Sequence, residues 1–148
     1  MDNAHHRPGS WQLMRTDQYV YVAIRSGSIS AEQVTTLLDL EPDAVTVKAS
    51  HRPDPPRPRE HKWAIECRQQ NLRIDEQVDR VLARLRPHSE AVRRLAQLPD
   101  VSVTLQMVRY FNDDQDGQDG VLGWHLSLEA LEFLIFISAS IDSDEYGL

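Results

Sequence analysis

A single cysteine, Cys67, stands in the whole chain of 148 residues. That excludes an internal disulfide and a cysteine metal cluster, and it fits a reducing compartment. Long hydrophobic runs are scarce: Phe133 to Ile137 is far short of the ~20 residues that a membrane helix needs. The opening MDNAHHRPGSW has no apolar core of the kind a secretory signal requires, so the expected location is the cytoplasm and no membrane partner is expected. No glycine-rich phosphate loop, dinucleotide fingerprint or nucleophile elbow is present, and neither His-x-x-x-His nor Cys-x-x-Cys occurs. The motif-bearing enzyme classes therefore lose their usual signatures, and no cofactor is expected.

What remains is an ordinary globular composition, with 41% hydrophobic and 26% charged residues. A chain of this length buries roughly 70% of its unfolded surface around one core. The expected organisation is a flexible N-terminal segment over 1–17 and a single α+β domain over 18–148. The net charge of −7 is unevenly spread: residues 1–47 hold three Arg against six Asp/Glu, 48–94 twelve Lys/Arg against seven, and 95–148 one Arg against ten. An acidic C-terminal third repels nucleic acid and favours a basic protein partner. One counter-signal is the basic span holding Lys48, Arg52, Arg57, Arg59 and Lys62.

Hydrophobic periodicity orders the chain. Val20, Val22 and Ile24 alternate with Tyr19, Tyr21 and Arg25 as in a strand with one buried face. Ser30 and Gln33 form a capping box ahead of a helix whose stripe is Val34, Leu37 and Leu38. Val45 and Val47 suggest a short strand, and the four prolines of HRPDPPRPRE exclude regular structure after it. Trp63, Ile65 and Cys67 alternate in the next strand, and Ile74, Val78, Val81, Leu82 and Leu85 are spaced as a helix. On that helix Arg80 and Arg84 read as a solvated face, with Glu76 supporting Arg80. A second short helix carries Ala91, Val92, Leu95 and Leu98, and Val101, Val103, Leu105 and Met107 mark the longest strand.

Ser127 then caps a helix with Leu131, Leu134 and Ile135 at the offsets that Val34, Leu37 and Leu38 hold from Ser30, which suggests a pseudo-repeat. This helix is apolar almost all round, which predicts deep burial or a subunit contact and makes a homodimer conceivable. The expected fold class is α+β: a ferredoxin-like split βαβ sheet, mostly antiparallel, with helices on one face and an added C-terminal αβ unit. The other face would present Tyr19, Tyr21, Arg25, Glu66, Arg68, Thr104 and Gln106 to solvent or to a partner.

Three places could carry chemistry. In FNDDQDGQDGVLGWHLS, Asn112, Asp114, Asp116 and Gly117 fit the first half of a calcium loop, but the position of the bidentate glutamate is Gly123. Asp113, Asp114, Asp116 and Asp119 could hold a cation loosely or serve as an acidic binding surface; Trp124 and His125 beside them read as a core tryptophan and a surface histidine. His51, Glu60, His61 and Trp63 could form a small-molecule or metal-binding enzyme site, and solvated loop residues beside a buried tryptophan are the simpler arrangement. Asp142 and Asp144 share one face of the last strand, where charge discourages strand-to-strand aggregation.

The tyrosine-bearing first strand, SISAEQVTTLLDLEPDAV, KWAIE, LSLEAL and the ending IDSDEY together resemble a bacterial family of unknown function, domain-of-unknown-function family 4279, over roughly residues 19–146. The resemblance implies a small α+β domain without an established activity, and some relatives look like candidate immunity proteins of toxin systems. The expectation is thus a non-catalytic protein-binding domain, in its narrower form an immunity-type inhibitor of a toxin, contacting its partner through Tyr19, Tyr21, Trp63 and the acidic loop.

Overall fold

The computed structural model describes residues 17–111 and 123–147. Strand β1 (Asp17–Ser26) leads to helix α1 (Ala31–Leu38), a short β2 (Ala44–Thr46), a small hairpin of β3 (Arg52–Pro53) and β4 (Pro56–Arg57), and β5 (His61–Cys67). Helix α2 (Ile74–Leu85), a 3-10 turn (Arg86–His88) and α3 (Ser89–Ala96) precede β6 (Val101–Phe111), α4 (Leu128–Phe136) and β7 (Ala139–Gly147). The main sheet has the order β2-β5-β1-β6-β7. All neighbours are antiparallel except β6 and β7. The protein is therefore an α+β domain built on a five-stranded, mostly antiparallel sheet.

The connections follow from these directions. β1 and β2 point the same way with β5 between them, and β5 and β6 point the same way with β1 between them. Two strand-helix-strand units thus interleave, each supplying the strand that splits the other. The third unit, β6-α4-β7, joins adjacent parallel strands, the pairing that needs a crossover rather than a hairpin.

Local sequence explains the elements. The Ser30 hydroxyl accepts from the Gln33 N–H at 3.1 Å and the Gln33 side chain accepts from the Ser30 N–H at 2.9 Å, so two donors left open at the start of α1 are satisfied reciprocally. The helix ends at Asp39, in the left-handed region at φ 53°. Val20, Val22, Ile24, Trp63, Ile65, Val103, Leu105 and Met107 form one side of the sheet and pack with Val34, Leu38, Val78, Leu82, Val92 and Leu134 from the helices into one core.

Several expectations change at the edges of this core. Val45 is 54% exposed because β2 is a three-residue edge strand with a single neighbour, and Val47, just past the end of that strand, is 53% exposed. Leu37 is also exposed, and on α4 the buried residues are Ala130, Phe133 and Leu134, with Ile137 buried at the C-cap, leaving Ile135 and Leu128 each 77% exposed. Equal offsets from a cap do not give equal burial: Leu38 is buried and its counterpart Ile135 is not. Trp124 is exposed rather than part of the core. The proline segment does contain regular pairing, since non-proline residues supply its donors: the His51 N–H reaches the Arg57 carbonyl and the Ala49 N–H reaches that of Pro58, both at 2.9 Å.

Candidate functional site

Strand register lays out the face opposite the helices as rows running across the sheet. Thr46, Lys62, Arg25 and Ser102 form one row. Ala44, Ala64, Ala23, Thr104 and Ser140 form the next. Glu66, Tyr21, Gln106 and Asp142 follow, then Tyr19, Val108 and Asp144, and finally Asp17, Tyr110 and Tyr146. Alternation alone dictates this set, because side chains two apart share a face.

The tyrosines are arranged in two pairs. Tyr19 and Tyr21 stack with ring centroids 6.1 Å apart, and Tyr110 and Tyr146 stack at 4.9 Å. Cations cover the first pair: the Arg68 guanidinium lies 3.8 Å from the Tyr19 ring centre and the Lys62 ammonium 5.3 Å from that of Tyr21. The long side chains of the flanking rows screen the alanine row, and Ala23 and Ala64 are buried despite facing away from the helices.

Charge is divided across the face. Arg25 and Lys62 sit directly opposite one another, a like-charge pairing that costs stability. Burial first, and then the Arg25 guanidinium, lower the Lys62 ammonium below the ordinary lysine value. Burial also raises the Tyr21 hydroxyl, with Arg25 partly offsetting it. On the far side Asp142 and Asp144 project from β7, and Asp144 accepts from the Gln106 amide at 3.0 Å. The face carries Lys62 and Arg25 together with Glu66 and Asp17 on β5 and β1, only the acidic Asp142 and Asp144 on β7, and tyrosines on β1, β6 and β7.

Tyr19, Tyr21, Arg25, Glu66, Thr104 and Gln106 thus lie on the face expected of them, and Arg68 follows β5 at its margin over Tyr19. Tyr110, Tyr146 and Lys62 were not anticipated there; counting by twos from Gln106 along β6 would have found Tyr110. Trp63 does not belong to the face. It is fully buried on the helix side, and its indole N–H donates to the Thr35 hydroxyl at 3.1 Å, so it cannot touch a partner.

The His51, Glu60, His61 and Trp63 grouping is not assembled as a site. The His61 Nδ1 accepts from the Lys48 N–H at 3.1 Å, His51 and Glu60 are exposed on either side of the hairpin, and Trp63 is in the core. Among the described residues no cluster of three His, Cys, Asp or Glu side chains could hold a metal ion. Asp113, Asp114, Asp116 and Asp119 lie outside the described residues. Among those described, no helix is long and apolar enough to cross a membrane.

A second feature adjoins the face. Because β2 pairs with β5 only as far as Ala64, the outer edge of β5 beyond it is open, and the chain caps it with side chains. The Asp43 carboxylate accepts from the Glu66 N–H at 2.7 Å and from Arg84 at 2.5 Å. Arg84 also reaches the Glu66 carbonyl at 3.5 Å. Burial pulls Asp43 upward, but the hydrogen bonds from Arg84 and Glu66 outweigh it and hold the carboxyl below its ordinary value. Arg84 is therefore a bridge from α2 to the start of β2 rather than part of a solvated helix face.

Interleaved strand-helix-strand units, with one sheet face covered by helices and the other open among the described residues, define a small α+β scaffold. The chain belongs to the family described as Domain of unknown function (DUF4279), whose family model matches residues 16–148. No curated protein and no solved structure matched the chain.

Proposed function

We propose that this protein is a bacterial, cytoplasmic, non-catalytic protein-binding domain whose contact surface is the open face of the sheet. The observation that carries the reading is the tyrosine platform of Tyr19, Tyr21, Tyr110 and Tyr146, with Lys62 and Arg68 over the first pair and Asp142 and Asp144 on β7 beside the second. Tyrosine and arginine are the side chains that concentrate binding energy in protein interfaces, since they offer large contact area with few rotatable bonds. The charged margins fix orientation, with Asp142 and Asp144 suited to a basic region of the partner. An immunity-type inhibitor of a toxin is the narrower form of this role, and its support is the family resemblance alone.

The test is a comparative capture from native lysate with the wild-type protein and with a Tyr19→Ala/Tyr110→Ala variant. A protein retained in stoichiometric amount by the wild type, lost by the tyrosine variant and weakened by Asp142→Lys/Asp144→Lys supports the proposal. Identical retained sets for wild type and tyrosine variant would falsify the assignment of the face.

A further inference from the structure

Beside the open edge of β5 runs a groove of about 540 Å³ between that strand and α2, lined in part by Glu66, Cys67, Arg68, Arg80, Val81 and Arg84. We propose that this groove binds a small phosphate-bearing molecule, a role additional to protein binding on the open face, with Arg68 bordering both. Its size falls within the range of small-ligand clefts. Three arginines border one space. Two of them are already held: Arg68 by Glu66 at 3.0 Å and Arg84 by Asp43. Arg80 is exposed, and among the described residues no carboxylate lies within ion-pair distance of it. The groove and its bordering Asp43 therefore retain one uncompensated positive charge.

The backbone explains why the three converge. Arg80 and Arg84 are one turn apart on α2 and so share a side of the helix, while Arg68 leaves β5 directly across the groove. The paired arginines are fixed in advance: Arg68 is stacked on Tyr19 as well as bound to Glu66, and Arg84 spans Asp43 and the Glu66 carbonyl. Anchored donors lose less freedom when a ligand arrives. A guanidinium fork matches phosphate oxygens in pairs, and a tetrahedral phosphate can accept from several forks at once where a carboxylate has only two oxygens. Cys67 and Val81 are buried, and they supply an apolar floor for the uncharged part of the molecule.

The experiment is isothermal titration of the full chain with pyrophosphate, inorganic phosphate and citrate at fixed ionic strength, repeated on Arg80→Gln and on Arg94→Gln. Arg94 is an exposed arginine of α3, away from the groove. The expected result is saturable one-to-one binding of pyrophosphate, weakened about tenfold or more by Arg80→Gln and unchanged by Arg94→Gln. Circular dichroism of both variants should match the wild type, since neither side chain is buried. Absence of saturable binding at millimolar pyrophosphate and phosphate overturns the proposal. So does equal weakening by both substitutions, or citrate binding as tight as pyrophosphate. Each of these leaves the protein-binding reading standing, because capture on the tyrosine face is read separately.

Discussion

On the covered side of the sheet, β1, β5 and β6 present Val20, Val22, Ile24, Trp63, Ile65, Val103, Leu105 and Met107, none more than 3% exposed. On the other side the same strands present Tyr19, Tyr21, Arg25, Lys62, Glu66, Gln106 and Tyr110. The backbone ladder is common to both, so the difference lies wholly in the side chains that the period of two sends each way. One side is selected for packing volume. The other carries a like-charge pair and two tyrosine stacks. If this division is correct, substitutions on the covered side should change stability and leave surface recognition alone, and the reverse should hold on the open side.

The largest effect should come from Trp63→Ala. Removing a fully buried tryptophan costs about 3–5 kcal/mol, and here it also leaves the Thr35 hydroxyl without its indole donor. Against a typical domain stability of about 5–15 kcal/mol, this variant would lie close to unfolding. Ile65→Val provides a milder check at about 1 kcal/mol. Urea unfolding followed by circular dichroism reads both; a Trp63→Ala loss under about 1 kcal/mol would mean that the covered side is not the core.

Next in size is the attachment of helix to sheet. Ser30→Ala removes the hydroxyl that accepts from the Gln33 N–H, and should cost about 1 kcal/mol in the same experiment. Gln33→Ala should cost less, because the Ser30 N–H that it serves can turn to water. A smaller loss is expected from Asp43→Asn, under about 1 kcal/mol because the pair with Arg84 is partly exposed. Its dependence on pH is the sharper readout. The Asp43 carboxyl is held lower in the folded chain than in the unfolded chain. The stability it contributes is therefore present above the unfolded-state value and is lost as pH falls through the folded-state value. The gap between wild-type and Asp43→Asn urea midpoints should thus be widest near neutrality and close in acid; a gap independent of pH would remove the ionised carboxylate from the explanation.

Much of this contrast was legible in the amino-acid order. The alternation from Tyr19 to Arg25 and from Trp63 to Cys67 separates the two sides because period-two patterning needs no knowledge of partners, and the capping box at Ser30 is likewise local. The illegible parts depend on residues distant in the chain. Val45 and Val47 alternate correctly, yet nothing in their neighbourhood reveals that β2 is an edge strand. Leu134 is buried and Ile135 exposed because of how α4 is rotated over the sheet, which an all-round apolar helix does not encode. Tyr146 joins Tyr110 through the parallel β6–β7 register, and Arg84 meets Asp43 across 41 positions. Trp63 shows the converse: its position in the buried alternation was visible, and its chemical appeal as a surface anchor was misleading.

The smallest stability change, and the most informative one, is expected from Tyr19→Ala and Tyr110→Ala. Both rings are only half-buried, and each stands in a stacked pair whose partner remains, so the combined loss should stay near 1 kcal/mol or below. Loss of the Tyr19 ring also removes the surface on which Arg68 rests, while the Arg68–Glu66 ion pair persists. The urea midpoint should therefore move little while capture of the partner falls by tenfold or more, the scale of an interface anchor. A variant that unfolds easily would show instead that the tyrosines brace the sheet, and the open side would then be a second structural layer. The two readouts together decide between these roles, since a structural brace moves both midpoint and capture whereas a contact residue moves capture alone.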